Sequence, residues 1–191
     1  MLRKARKDAL RRHALDSRAR LGAEAWAAED AARSRHVLGR LAGRVPGCAA
    51  SYVSRVGEPD TRAVISWLWA AGWRVLLPAT IEVPDWAEFT GWEAMRPGPV
   101  GIDLPTGKRL GASALAVADV VIVPALGVGP DGTRLGVGAG WYDRALPWRA
   151  PGAAVWALTR ADERFDTPRE AHDVPVAAAI TEAGVDEFDP G

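Results

Sequence analysis

One cysteine, Cys48, stands in 191 residues. That excludes an intramolecular disulfide and a cysteine-based zinc site. Cys48 opens an apolar run, CAASYV, and reads as a small buried hydrophobe rather than a nucleophile. No stretch approaches the roughly 20 consecutive apolar residues that cross a bilayer. The first 20 residues are basic, but no apolar segment follows them, which argues against a secretory signal. Asp8 and Asp16 interrupt the arginines, which argues against an organelle transit peptide. No Gly-Lys-Ser/Thr closes a glycine loop, so a Walker A site is excluded. No serine, threonine or cysteine stands in a pattern that pairs a nucleophile with a base. His13 and His36 fit no motif and read as surface residues. These absences leave a cytoplasmic protein with no membrane and no nucleic-acid partner.

What is present is a globular composition, 48% hydrophobic and 25% charged, on a chain long enough for one well-filled core. The 24 basic and 24 acidic residues cancel, yet eight Lys or Arg against two acids fall within residues 1–20. Such a segment on a neutral chain suits either a solvated helix face or an anion partner at one place.

Residues 3–20 lack helix breakers and read as a helix with few apolar positions (Ala9, Leu10, Ala14, Leu15). Residues 24–42 read as a second helix, its small or apolar stripe running through Ala27, Ala31, Ser34, Leu38 and Leu41 and ending near Gly43. The pattern then alternates. Strands are expected at Cys48–Ser54, Trp73–Leu77, Asp119–Val123, Ala153–Leu158 and Val176–Thr181, with a short candidate at 86–90. A helix carrying Val64, Ile65, Leu68 and Ala71 is capped by Asp60 or Thr61 and stopped by Gly72. Residues 84–113 are rich in Pro, Gly and Trp. A glycine-rich loop over Gly127–Gly140 leads into a short helix over 141–148. Strand, helix and strand joined by short loops predict one α/β domain over residues 1–191. Its sheet is mostly parallel with helices on both faces, the three-layer, doubly wound arrangement, and ligands sit beyond the C-terminal strand ends.

The segment RLGVGAGWYDR, Arg134 to Arg144, carries the chemistry. Gly136, Gly138 and Gly140 alternate, so backbone N–H groups can approach anionic oxygens. Arg134 supplies a planar, bidentate-capable cation at one end. Asp143 supplies a carboxylate suited to magnesium at the other. Together they describe a magnesium–nucleotide site. By itself the loop also suits a tight glycine turn with no ligand.

The strand DVVIVPALGV followed by DGTRLGVGAGWYDRAL resembles the signature of the 5-formyltetrahydrofolate cyclo-ligase family, also called methenyltetrahydrofolate synthetases. Three further segments agree in order, so that the resemblance spans residues 7–182. Lys7 to Arg11 fits the family's Lys-x-x-Leu-Arg, with Lys7 and Arg11 one helical turn apart; Lys4 is an alternative to Lys7. Gly57-Glu58-Pro59-Asp60-Thr61 fits a turn that meets the folate. PREAHD, Pro168 to Asp173, fits an element before the last strand, with His172 structural. Departures are Val137, Ala139 and Trp141, where bacterial members commonly read Gly-Tyr-Gly-Gly-Gly-Tyr-Tyr-Asp. Alanine at 139 suits the loop if its backbone angles are ordinary.

The resemblance implies ATP- and magnesium-dependent conversion of 5-formyltetrahydrofolate to 5,10-methenyltetrahydrofolate through a phosphorylated formyl group, giving ADP and phosphate. It implies catalytic cations at Lys7, Arg11 and Arg134. ATP would be bound by these three with Leu135, Gly136, Val137, Gly138, Ala139, Gly140, Trp141 and Tyr142. The folate would meet Val53, Glu58, Val137, Trp141 and Tyr142, and Mg2+ would sit on Asp143 and Asp173. Its partners would be these small molecules alone, acting on a monomer. Three other readings stand beside it: a non-catalytic folate or nucleotide module, a sugar-phosphate-binding domain of related architecture, and a family member retuned to a different N-formyl or amide substrate.

Overall fold

The computed structural model describes residues 2–170 and 173–189. Helices α1 (Leu2–Ala19) and α2 (Ala23–Leu41) precede β1 (Cys48–Ala50), α3 (Arg62–Ala70) and β2 (Arg74–Pro78). A long connection follows, with β3 (Trp86–Glu88) and the hairpin β4 (Met95–Pro97) and β5 (Asp103–Pro105). Then come β6 (Val120–Pro124), the short ladder β7 (Gly127–Val128) and β8 (Arg134–Leu135), α4 (Trp141–Ala145), β9 (Ala154–Leu158), β10 (Ala178–Ile180) and β11 (Val185–Glu187). Among the described residues no helix is long and apolar enough to cross a membrane.

Seven strands form the main sheet in the order β11-β10-β9-β6-β1-β2-β3. The five inner strands are parallel, and β3 and β11 run antiparallel on the two edges. β1 is therefore the pivot. The chain moves outward one way to β2, then returns to β6 and moves outward the other way. With right-handed crossovers, those two directions put the connecting segments on opposite faces. They also open a crevice between the C-terminal ends of β1 and β6, where the strand order reverses. The inner strands are buried on both faces, as Val120–Val123 shows with four side chains at 0% exposure.

The structure departs from the sequence reading in several places. The run Cys48–Ser54 is strand for three residues, although the Ser51 N–H continues the ladder to the Leu76 carbonyl. The loop read over Gly127–Gly140 is split by the β7–β8 ladder. The expected helix over 141–148 is α4 followed by a 3-10 turn. On α2, Ala27 and Ala31 are exposed, and the buried residues are Arg33, Val37 and Leu41. Alanines offer little area, whereas Val and Leu each gain about 1.5–3 kcal/mol on burial. The helix therefore rolls onto those two, and Arg33 comes inside with partners, bonded to Asp30, Glu182 and the Thr159 carbonyl.

Cys48 is buried, and burial pushes its thiol up to about 11. Native protein is expected to react with a disulfide reagent far more slowly than protein unfolded in denaturant. A thiol ionising at a higher pH in the folded state than in the unfolded state favours folding below the unfolded value. That contribution is lost as pH rises from the ordinary thiol range of about 8.5 towards about 11. The drop in midpoint denaturant concentration over that interval should be smaller in Cys48→Ala.

Candidate active site

One face of α1 turns its cations inward. Lys7, Arg11, Ala14 and Arg18 recur at steps of four, three and four, one stripe of a helix. Lys7, Ala14 and Arg18 are buried and Arg11 is half-buried. Buried charge is costly unless paired, and each cation has partners. Lys7 Nζ donates to Glu170 at 2.9 Å and to Asp173 at 3.1 Å. Burial pulls the Lys7 ammonium down, but these carboxylates outweigh it and hold its pKa above the ordinary value. Arg11 Nε donates to the Gly136 carbonyl at 2.9 Å, and its Nη1 pairs with Asp8. Arg18 makes a two-pronged bond to Glu163 and reaches the Gly57 and Ala125 carbonyls.

A cavity of about 340 Å³ opens at the crevice beyond β1 and β6. Its walls come from the segments that leave three parallel strands: Tyr52 and Val53 after β1, Thr80 and Ile81 after β2, and Ala125 and Leu126 after β6. Arg11 and Arg18 of α1, Arg55, Glu58, Arg134 and residues 136–143 line it as well. The lining is mostly apolar with a few convergent charges, as small-molecule sites are.

Each charged group on the wall is held in place. Glu58 is mostly buried, its carboxylate accepting from Arg55 Nε at 3.0 Å and from the Arg55 N–H at 3.3 Å. The turn carrying it is fastened to β1 by the Tyr52 hydroxyl, which donates to the Pro59 carbonyl at 2.6 Å. Asp60 accepts from the Arg62 N–H at the start of α3 and from Ser54 Oγ, so it caps as read from the sequence. Thr61 does not cap; its hydroxyl donates to the Tyr52 carbonyl.

The ladder β7–β8 delivers Arg134 to the cavity, where its Nη2 donates to Asp143 Oδ1 at 2.6 Å. Gly138, at φ +99°, takes a conformation that L side chains rarely adopt, and a Cβ there would lie 3.3 Å from Arg11 Cζ. At Gly136 a Cβ would fall 2.7 Å from Arg134 Nη1 and would push that guanidinium aside. Among the described residues Val100 is the only non-glycine at positive φ, so Ala139 has ordinary angles and the loop accepts it. Trp141 donates from Nε1 to the Thr80 carbonyl and packs edge-on against fully buried Trp86. Tyr142 is buried, and its hydroxyl has no hydrogen-bond partner among the described residues. Burial pushes that phenol well above its ordinary pKa, against a smaller pull from Arg134, so it stays protonated. Arg134 Nε is likewise buried and unpartnered.

Of the residues expected from sequence, Arg11, Val53, Glu58, Arg134 and 136–143 share this wall. Leu135 does not; it packs beneath with Ala14 and Leu126. Lys7 and Asp173 are bonded to each other and are not among the lining residues. Asp143 and Asp173 thus occupy different settings. Among the described residues no group of three His, Cys, Asp or Glu could hold a metal unaided. Magnesium does not require one, since it commonly takes one or two carboxylates with phosphate oxygens and water. Asp143, one-third exposed with Oδ1 on Arg134, fits that description. His172 lies outside the described residues.

A family model described as the 5-formyltetrahydrofolate cyclo-ligase family matches residues 3–182. The chain belongs to that family. A 5-formyltetrahydrofolate cyclo-ligase of Mycolicibacterium smegmatis is 39% identical over 155 residues, 74% of this chain and 75% of that protein. One from Escherichia coli is 28% identical over 73% of this chain and 80% of its own. Among solved structures, a 5,10-methenyltetrahydrofolate synthetase of Aquifex aeolicus aligns with a TM-score of 0.76 at 26% identity, over 97% of this chain and 94% of that one. A 5,10-methenyltetrahydrofolate synthetase of Mycoplasma pneumoniae shares the fold, with a TM-score of 0.74 at 18% identity over 92% and 98%.

This family member's site has parts that the sequence reading passed over: Arg18, Tyr52, Arg55, Thr80, Ile81, Val100 and Ile102. Arg55 had a signal, an opposite charge three residues before Glu58. Arg18 had one too, since it continues the Lys7–Arg11 stripe; at 4% exposure it belongs to that inward stripe and not to a solvated helix face. Val100 and Ile102 had none. They come from the tip of the β4–β5 hairpin, where Val100 sits at φ 53°. A β-branched residue in that region is strained by about 1–3 kcal/mol.

Proposed function

We propose that this chain catalyses the family's reaction: ATP-dependent closure of 5-formyltetrahydrofolate to 5,10-methenyltetrahydrofolate, with release of ADP and phosphate. The observation that carries the reading is the convergence of Arg11, Arg134 and Asp143 with Glu58 and Val53 on one apolar cavity.

A formyl oxygen on nitrogen is a poor leaving group. Its attack on the γ-phosphorus expels ADP and converts it to a phosphate ester of an imidate. N10 of the same molecule then attacks the formyl carbon, phosphate leaves with the former formyl oxygen, and the ring closes as N10 loses its proton. No protein nucleophile is needed. The chain has to align two substrates and offset charge, and alignment by itself is worth effective molarities on the order of 10⁵–10⁸ M.

Arg134 and Arg11 are the cations for the transferring phosphate, with Lys7 one turn before Arg11 on the same helix face. Backbone N–H groups of residues 136–140 serve the remaining phosphate oxygens. Asp143 is the carboxylate that would hold Mg2+, which when bound offsets phosphate charge; Asp173 is assigned to holding Lys7 and acts on that ion indirectly. Glu58 accepts paired N–H bonds from the pterin, while Val53, Trp141 and Tyr142 wall it. Val137, half exposed at the rim, touches whichever substrate occupies the entrance. The proposed partners are these small molecules, acting on a monomer. A ligand-binding module without turnover, or a sugar-phosphate domain, is not favoured, because the charged groups that phosphoryl transfer requires are all present.

The direct test mixes purified protein with 5-formyltetrahydrofolate, ATP and Mg2+ and follows methenyl product by absorbance. Product is expected only when all three are present. Folded protein that binds both substrates and forms none contradicts the reading.

A further inference from the structure

The Arg18–Glu163 pair has no part in the roles above, yet it is among the most buried charge in the chain, with side chains 4% and 1% exposed. Arg18 Nε and Nη2 donate to the two oxygens of Glu163 at 2.6 and 2.7 Å. Its Nη2 also donates to the Ala125 carbonyl at 2.6 Å, and its Nη1 to the Gly57 carbonyl at 3.1 Å. Glu163 is fixed in turn by the Thr159 hydroxyl at 2.6 Å and the Arg160 N–H at 2.9 Å. One guanidinium thus joins α1 to segments leaving three strands: the turn after β1, the residue after β6, and the segment after β9.

Those segments carry the two halves of the site. Gly57 directly precedes Glu58, the folate residue. Ala125 leads into the ladder that ends in Arg134, and Arg18 lies two turns beyond Arg11 on the stripe that holds the phosphate cations. We infer that Arg18, locked by Glu163, is a positioning residue that sets the distance between the folate turn and the phosphate-binding groups. This rests on the reaction proposed above. Planarity is essential to the role. A guanidinium can serve a carboxylate and two carbonyls in fixed directions, whereas an ammonium has neither the reach nor the fork.

A device of this kind has a specific kinetic signature. Each substrate still finds its own half of the site, but the formyl oxygen and γ-phosphate no longer meet in register. Misplacement on the order of 1 Å costs about 10²-fold in rate. Arg18→Lys is therefore expected to bind ATP alone and 5-formyltetrahydrofolate alone within about threefold of wild type by calorimetry, while kcat falls about 30- to 100-fold. Glu163→Gln keeps the shape and should lower kcat about tenfold. The double variant should be no slower than Arg18→Lys, since the two residues act as a unit.

A purely structural pair would give a lower melting temperature with normal kcat per folded molecule. The inference is overturned by folded Arg18→Lys with kcat within about threefold of wild type, by equal loss of single-substrate binding and turnover, or by additive effects in the double variant. If Arg18→Lys does not fold, Glu163→Gln carries the same test. Failure of both to fold makes the pair structural and also overturns it. Wild type is assayed in parallel: absence of methenyl product there counts against the proposed reaction, whereas active wild type with an unaffected Arg18→Lys counts only against this inference.

Discussion

Arg134→Ala is expected to lower turnover by about 10³-fold or more, the loss typical of a cation that stabilises a transferring phosphoryl group. The protein should still fold. The Arg134 side chain is largely buried, but its acidic partner Asp143 is one-third exposed and hydrates when the guanidinium is gone. Arg134 is also held from two sides, by Asp143 and, at 3.4 Å, by the Pro124 carbonyl at the end of β6. Its direction into the cavity is set before any substrate binds, so little reorganisation accompanies the reaction. Arg134→Lys should restore little, since an ammonium cannot reproduce the fork. The measurement is kcat of the folded variant, with folding followed by circular dichroism. Turnover within about tenfold of wild type would remove Arg134 from the mechanism.

Glu58→Gln is expected to weaken 5-formyltetrahydrofolate binding by about 10- to 100-fold and to leave ATP binding unchanged. Hydrogen bonds to a charged acceptor are worth about 1.5–3 kcal/mol, and the amide replaces one acceptor oxygen with a donor. The turn itself should persist, because the Tyr52–Pro59 bond and the Ser54–Asp60 bond hold it independently of Glu58. Titration calorimetry with each substrate separately decides the matter. Lost ATP binding with folate binding spared would reverse the assignment of the two halves.

The layout of the sheet was legible because parallel strands covered on both faces read as continuous apolar runs. Val120–Val123 is the plainest case. The edges were less so: β11 has a single partly buried valine and two exposed acids, and pairs only because β10 lies beside it. α2 misled for a related reason, since alanines at helical spacing look like a buried face but contribute little area. The glycine loop, Arg134, Asp143, Arg11 and Glu58 line one cavity, and they could be singled out because they fall in contiguous motifs. Lys7 and Asp173 were found as motif members, but not as partners of each other, since 166 residues separate them. Arg18 appeared as one more arginine on a basic helix. Its role depends on Glu163, Gly57 and Ala125, which only the fold brings together. Ile102 and Val100 reach the cavity from a short hairpin whose Pro and Gly residues announce a turn but not what the turn approaches.

The central claim is that the cavity aligns the formyl oxygen of the folate with the γ-phosphate of ATP. The most direct measurement supplies 5-formyltetrahydrofolate carrying ¹⁸O in the formyl group and determines by mass spectrometry where the label goes. The expected result is one ¹⁸O in the inorganic phosphate for each methenyl product formed. Methenyl product accompanied by unlabelled phosphate, with the ¹⁸O recovered in water, would contradict it.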